Sequence, residues 1–300
     1  RRADDLVQEQ TETENYALTV FTAQERKEWE PVIKEVEERT GWNVRVETGS
    51  AKEMLSQLEK EEADWDVAFG VSADALEEGK EYWQTDKDAW TGYSAVSFVI
   101  LYNTNVVTYR ELPTGWDSLL EPRWKGRVAV PDPLKSDMAA SVLTEAAKNS
   151  EKEEFLDLLA ENMQYQMPET FKEVEQGISD GRYSIGVTSE EAAKAMLAAG
   201  QDVDYIDPEE GECFFEDGTA IRKRTPNLDA SEAFVTYTTC DDTKWLLRTQ
   251  LLRQPAEDVA AENDRSDEEL KQRYSRQQEV LNIWKLIMEE KTGPAHEQEQ

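Results

Sequence analysis

Hydrophobic positions along the chain switch repeatedly between a two-residue and a helical period. "YALTVFT" (16–22) alternates and is rich in β-branched residues. The next segment, 23–41, carries Trp29, Val32, Ile33 and Val36 at helical spacing and stops at Gly41. "NVRVET" (43–48) reads as a strand, 50–64 as a helix with Met54, Leu55 and Leu58 on one side, and "WDVAFGV" (65–71) as a strand followed by a helix over 72–79. Strand and helix alternating at short range predict a parallel sheet with helices on its faces.

"GYSAVSFVILYNTNVV" (92–107) is too long for one ordinary strand and reads as a strand that leaves one sheet and enters a second lobe. A helix over 114–126, a strand over 127–133 and three helices through about Asp180 are expected next. "YSIGVTS" (183–189) and its helix follow, then 203–211, and "CFFEDGTAIRK" (213–223) reads as a second crossing strand. Helices from about Asn227 complete the chain. The fold class is therefore α/β with two lobes, each a mostly parallel sheet flanked by helices, joined by two crossing strands around a cleft. The expected division is a leader over 1–15, a first lobe of 16–97 plus about 212–270, a second lobe of 98–211 that also receives the last helix (about 270–290), and a tail over 291–300. No fixed-period repeat is present.

One punctuation recurs: a strand ends, a hydroxyl residue or glycine follows, and a helix starts. It occurs at Thr22–Ala23, Gly49–Ser50, Ser72, Ser136 and Thr188–Ser189. In open parallel sheets such corners gather at the carboxyl ends of the strands, where ligands bind. Each helix start offers unpaired N–H groups and the positive end of its dipole, so several aimed at one point make an anion site. Each Ser or Thr is also an ordinary N-cap, and the two roles are compatible. Glu190 and Glu191 carry a similar ambiguity: acid in a first turn favours the dipole, or one of them, Glu190 first, receives a donor from the ligand. Trp90, Tyr93 and Ser94 in "WTGYS" are further candidate contacts, and Glu209 and Glu210 are read as a solvated loop near the second crossing.

Charge and composition narrow the classes. The formal net charge is -32, with 33 basic against 65 acidic residues, and no basic stripe appears, which argues against a nucleic-acid partner. No run approaches the roughly 18 apolar residues of a membrane span, so a soluble chain is expected. The single histidine, His296, lies in the polar tail, which removes histidine-based catalysis and histidine-rich metal sites. No GxSxG, no GxGxxG after a strand and no P-loop is found, so no catalytic residue and no cofactor is assigned. Cys213 and Cys240 flank a strand-plus-helix return, which leaves one disulfide open if the protein is exported.

Four stretches resemble the solute-binding proteins of ABC importers, in the branch holding ferric-iron, phosphonate and sugar-phosphate binders. They are the opening "LTVFTAQERKEWEPVIKEVEERTGWNVRVETGSAKEMLSQL"; "WTGYSAVSFVILYNTNVV" with "LPTGWDSLLEPRWKGRVAVPDP"; "ISDGRYSIGVTSEEAAKAMLAAGQDVDYIDPEEG"; and "DGTAIRKRTPNLDASEAFVTYTTC". The resemblance covers roughly 16–250, and "QQEVLNIWKLIM" is similar to the family's last helix. It implies a type II two-lobed hinge protein, monomeric and not an enzyme, that closes on a small molecule and hands it to a membrane permease. It also implies an extracytoplasmic protein, periplasmic or lipid-anchored, whose signal segment is not in this chain. The iron-binding members' paired tyrosines are not found at Thr188–Glu191, and no histidine stands near Thr22, so no metal site is assigned. The expected ligand is a small organic anion, a phosphorylated sugar or a phosphonate. The alternatives are ferric iron or a polyamine on the same fold, or a ligand-sensing domain of a signalling system.

Overall fold

The computed structural model describes residues 15–85, 88–260 and 266–293. The expected leader and tail lie outside these residues, apart from Asn15 and 291–293. In chain order the elements are β1 (Leu18–Thr22), α1 (Arg26–Thr40), β2 (Val44–Thr48), α2 (Ala51–Glu59), β3 (Val67–Ser72), α3 (Ala73–Glu78), β4 (Thr91–Asn103), β5 (Val128–Ala129), α4 (Asp137–Asn149), α5 (Phe155–Asn162), α6 (Phe171–Ser179), β6 (Ile185–Ser189), α7 (Glu190–Ala198), β7 (Val203–Ile206), β8 (Phe214–Ile221), α8 (Leu228–Thr238), α9 (Asp241–Leu246), β9 (Gln254–Pro255), α10 (Ala256–Val259) and α11 (Asp267–Thr292). The pattern-based segments match this order closely. The helix that begins at Arg26 buries Val32, Ile33 and Val36, as its spacing requires, and ends where Gly41 takes φ 72°.

Strand order is β2-β1-β3-β8-β4-β6-β5, with β7 and β9 also pairing β4. The pairs β1–β2, β1–β3 and β5–β6 are parallel. Both crossing strands, β4 and β8, run antiparallel to their neighbours, which makes the sheet mixed in both lobes. The long apolar run crosses as expected: Thr91–Ser97 pair with β8, and from Phe98 the same strand pairs with β6. A register shift between Gly92 and Ser94 lies opposite Gly218, where a Cβ would stand 2.7 Å from the Thr91 carbonyl oxygen.

Each lobe has its own core. In the first, Phe69 packs on Tyr93 (4.7 Å between centroids) and edge-on to Phe234 (5.3 Å), while Trp65 lies between Phe21 and Trp83. In the second, Phe98, Trp116, Phe155 and Trp284 share one buried cluster. The last helix, α11, contacts α3 of the first lobe as well as α4 and α5 of the second. Its Tyr274 joins a first-lobe cluster, and its Val280, Trp284 and Ile287 join the second-lobe core.

Two expectations are corrected. Residues 114–126 form two short 3-10 turns, Trp116–Leu120 and Pro122–Trp124, in place of one helix. Glu121, the residue before Pro122, is extended (φ -63°, ψ 129°), as steric clash with the proline ring demands. The Cys213–Cys240 bridge is not formed, and both thiols are free. Cys213 is buried in the second-lobe core, where burial pushes its thiol pKa up. From there β8 runs out roughly 26 Å, and α8 returns only about 16 Å. Cys240 instead stands at the N-cap position of α9 without a side-chain cap bond, its Sγ 3.4 Å from Thr243 Oγ1. Thiol titration of the unfolded protein without reductant is therefore expected to count both cysteines; a count of zero would restore the bridge.

Candidate functional site

Between the lobes lies a cleft of about 470 Å³. Its first-lobe wall is built by Ala23 and Gln24 after β1, by Glu25, Lys27 and Glu28 at the start of α1, by Gly49 and Ser50 before α2, and by Gly70 in β3. Its second-lobe wall is built by Lys135, Ser136 and Asp137 at the start of α4, by Phe171, Lys172 and Glu175 on α6, and by Thr188, Ser189 and Ala192 around the start of α7. Val96, Phe215 and Asp217 of the crossing strands form the floor, with Arg253 behind them.

Three helices open onto this space with a serine at the cap. Ser50 Oγ accepts from the Glu53 amide (3.1 Å), Ser136 Oγ from the Ala139 amide (3.2 Å) and Ser189 Oγ from the Ala192 amide (3.1 Å). Each cap satisfies one of its helix's first four N–H groups. The Ala51 amide of α2 donates to Asp137 Oδ2 across the cleft (3.0 Å).

The floor is a closed charge cluster. Asp217, fully buried, accepts from the Ser94 amide (3.0 Å), Ser94 Oγ (2.6 Å), Gln24 Nε2 (3.0 Å) and Arg253 Nη1 (2.7 Å). Arg253, only 3% exposed, also donates to Ser94 Oγ (2.9 Å) and, through Nη2, to Glu28 Oε1 (2.9 Å). Burial opposes the charge on Arg253, but Glu28 and Asp217 hold its pKa above the ordinary value. Burial pushes the Asp217 carboxyl up, and Arg253, Ser94 and Gln24 pull it back. Gln24 covers Gly70, which takes φ 64°; a Cβ there would lie 2.4 Å from Gln24 Cδ. On the opposite wall burial also raises Glu175, which accepts from Thr188 Oγ1 (2.8 Å).

Of the residues the sequence singled out, Ala23, Gly49, Ser50, Ser136, Thr188 and Ser189 line the cleft. The others sit elsewhere. Thr22 is buried, and its Oγ1 accepts from the Gln24 amide. Ser72 is buried at the end of β3 and makes no cap hydrogen bond. Trp90 donates to Glu77 (3.0 Å), Tyr93 packs in the first-lobe core, and Ser94 belongs to the cluster beneath the floor. Glu190 pairs with Lys194 (3.1 Å), and Glu191 accepts from Gln254 Nε2 (3.4 Å). Glu210 accepts from the Trp116 amide (3.0 Å). Pattern reading missed Gln24, Asp137, Lys172, Glu175, Asp217 and Arg253. The visible signal was the adjacent pair Glu216 and Asp217 inside an otherwise β-rich run, which does not say which of the two faces the cleft; Arg253 carried none. Among the described residues no group of three or more His, Cys, Asp or Glu side chains is placed to hold a metal ion.

The family model for bacterial extracellular solute-binding proteins matches residues 69–278, and the chain belongs to that family, whose members bind solutes and are not enzymes. No curated protein sequence matches it. Among solved structures it is similar to a ferric binding protein from Campylobacter jejuni (17% identity, TM-score 0.72, covering 90% of this chain and 99% of that one). It is also similar to the periplasmic binding protein AfuA from Actinobacillus pleuropneumoniae with fructose-6-phosphate bound (15%, 0.73, 91% and 98%). Iron-bound HitA from Pseudomonas aeruginosa is a third (16%, 0.71, 90% and 98%). These likenesses establish the shared periplasmic-binding-protein fold. No helix among the described residues is long and apolar enough to cross a membrane.

Removing one partner of a buried ion pair leaves an uncompensated charge. Arg253→Ala is therefore expected to cost about 3–5 kcal/mol in denaturant unfolding. The double variant Arg253→Met, Asp217→Asn should cost clearly less than Arg253→Ala alone, because it leaves no bare charge at the fully buried Asp217 position, while the partly exposed Glu28 loses its partner in both. Equal losses would show that the cluster acts through packing only.

Proposed function

We propose that this protein is the extracytoplasmic solute-capturing component of an ABC importer, and that its cleft takes a small organic anion, a phosphorylated sugar or a phosphonate. The observation that carries this reading is the convergence of three serine-capped helix starts, those of α2, α4 and α7, on one cleft. Helix N-termini supply oriented N–H groups and positive potential to an anion. Lys172 stands on the same wall as Ser189, and Phe171 beside it offers an apolar face to a sugar ring or an alkyl chain. The volume falls within the roughly 300–1,000 Å³ of small-molecule sites. The sugar phosphate in the AfuA structure is consistent with this chemistry. A hinge between a first lobe of 16–97 plus about 212–270 and a second lobe of 98–211 would close on the solute. The change of partner in β4 after Ser97 supports that division. The closed complex would then dock, as a monomer, on a membrane permease.

The iron-binding neighbours motivate a second reading, in which Asp137 and Glu175 meet a cation. A thermal-shift panel separates the two, using glucose 6-phosphate, 2-aminoethylphosphonate, inorganic phosphate, spermidine and Fe³⁺. A ligand that binds only the folded state adds about 2.7 kcal/mol at a hundredfold excess over its dissociation constant. Stabilisation by glucose 6-phosphate or 2-aminoethylphosphonate is expected. The increment should be lost in Ser189→Ala and reduced in Ser50→Ala, each scored against its own baseline because a lost cap itself costs about 1 kcal/mol. Stabilisation by spermidine or Fe³⁺ alone would replace the anion with a cation.

A further inference from the structure

The bond from the Ala51 amide to Asp137 joins the start of α2, in the first lobe, to the first turn of α4, in the second. Partners 86 residues apart in sequence meet at the edge of the cleft, which Asp137 and the neighbouring Ser50 line. A carboxylate at a helix start is what an anionic solute would present there, and a charge-assisted bond of this kind is roughly twice as strong as a neutral one. We propose that Asp137 is a built-in competitor of the solute: its carboxylate stands in for the solute's anion at the start of α2, and an anionic solute must displace it to bind. Resting on the anion reading above, this adds the residue against which solute affinity is set.

The surroundings load Asp137 with like charge. Glu53 of α2 and Asp74 of α3 act on Asp137 with like charge, and Tyr274 of α11 lies near both Asp137 and Asp74. On its own side, Lys135 is drawn away into an ion pair with Glu169. Burial first, then Asp74 and Glu53, push the Asp137 carboxyl up to about 6 against the pull of the Ala51 amide. The carboxylate is therefore held in place at pH 7.5 and becomes a neutral acid as pH falls through about 6. Competition should then be strong at neutral pH and weak in mild acid. A purely structural role, with Asp137 serving only the dipole of α4, makes a different prediction: its removal would lower stability slightly and leave anion affinity alone.

Calorimetric titration of glucose 6-phosphate and of inorganic sulfate, whose charge is constant from pH 5 to 8, into the wild type and Asp137→Asn tests the proposal. At pH 7.5 the variant is expected to bind both anions roughly tenfold tighter. The ratio between variant and wild type should shrink toward one at pH 5, whereas the nearby Glu175 would act on both proteins alike. Equal or weaker binding by the variant at pH 7.5, or a ratio independent of pH, would overturn it. Should neither protein bind either anion, the anion reading itself fails, and small-angle scattering without solute decides the Asp137 contact. A larger radius of gyration in Asp137→Asn would show that the carboxylate holds the lobes together; an unchanged radius would remove that role.

Discussion

The ion pair between Arg253 and Asp217 is the constraint on which the rest of the structure hangs. Asp217 lies opposite Ser72 of β3 on one side and Ser94 of β4 on the other, so three strands meet at one buried carboxylate. Arg253 reaches it from the loop before β9 and ties in Glu28 at the start of α1. A wholly apolar crossing could slip by one residue and exchange the two faces of the sheet. Four donors fixed on two carboxylate oxygens leave one register, and with it one position for the cleft floor.

The walls follow from that floor. The starts of α2, α4 and α7, with their capping Ser50, Ser136 and Ser189, border one common space. This reconciles the proposed anion site with a chain of formal charge -32. At about 0.15 M ionic strength charges more than about 8 Å apart are largely screened, so the acidic exterior scarcely reaches the cleft. The local field is set by helix starts, by Lys27, Lys135 and Lys172, and by the carboxylates that oppose them.

Much of the architecture was legible in the sequence because it follows from periodicity. The long run at 92–107 announced a crossing, and β4 changes sheets within it. The one failed helix, at 114–126, failed for a local reason visible in Pro122. The site was only half legible. Serines at helix starts can be read from spacing, and Ser50, Ser136 and Ser189 all reached the cleft. Strand residues such as Thr22 and Tyr93 could not be assigned a face without the sheet, and they turned inward. Gln24, Asp217 and Arg253 come together from sequence positions up to 229 apart through the two crossings, and no local pattern carries that information.

The proposed site places an organic anion against the helix starts of α2, α4 and α7. A crystal structure of the protein grown with glucose 6-phosphate tests it most directly. A phosphate is expected in the cleft, with its oxygens within hydrogen-bonding distance of the first amides of α7 and of at least one of α2 and α4. A phosphate bound elsewhere, or a cleft that holds a cation between Asp137 and Glu175, would contradict it.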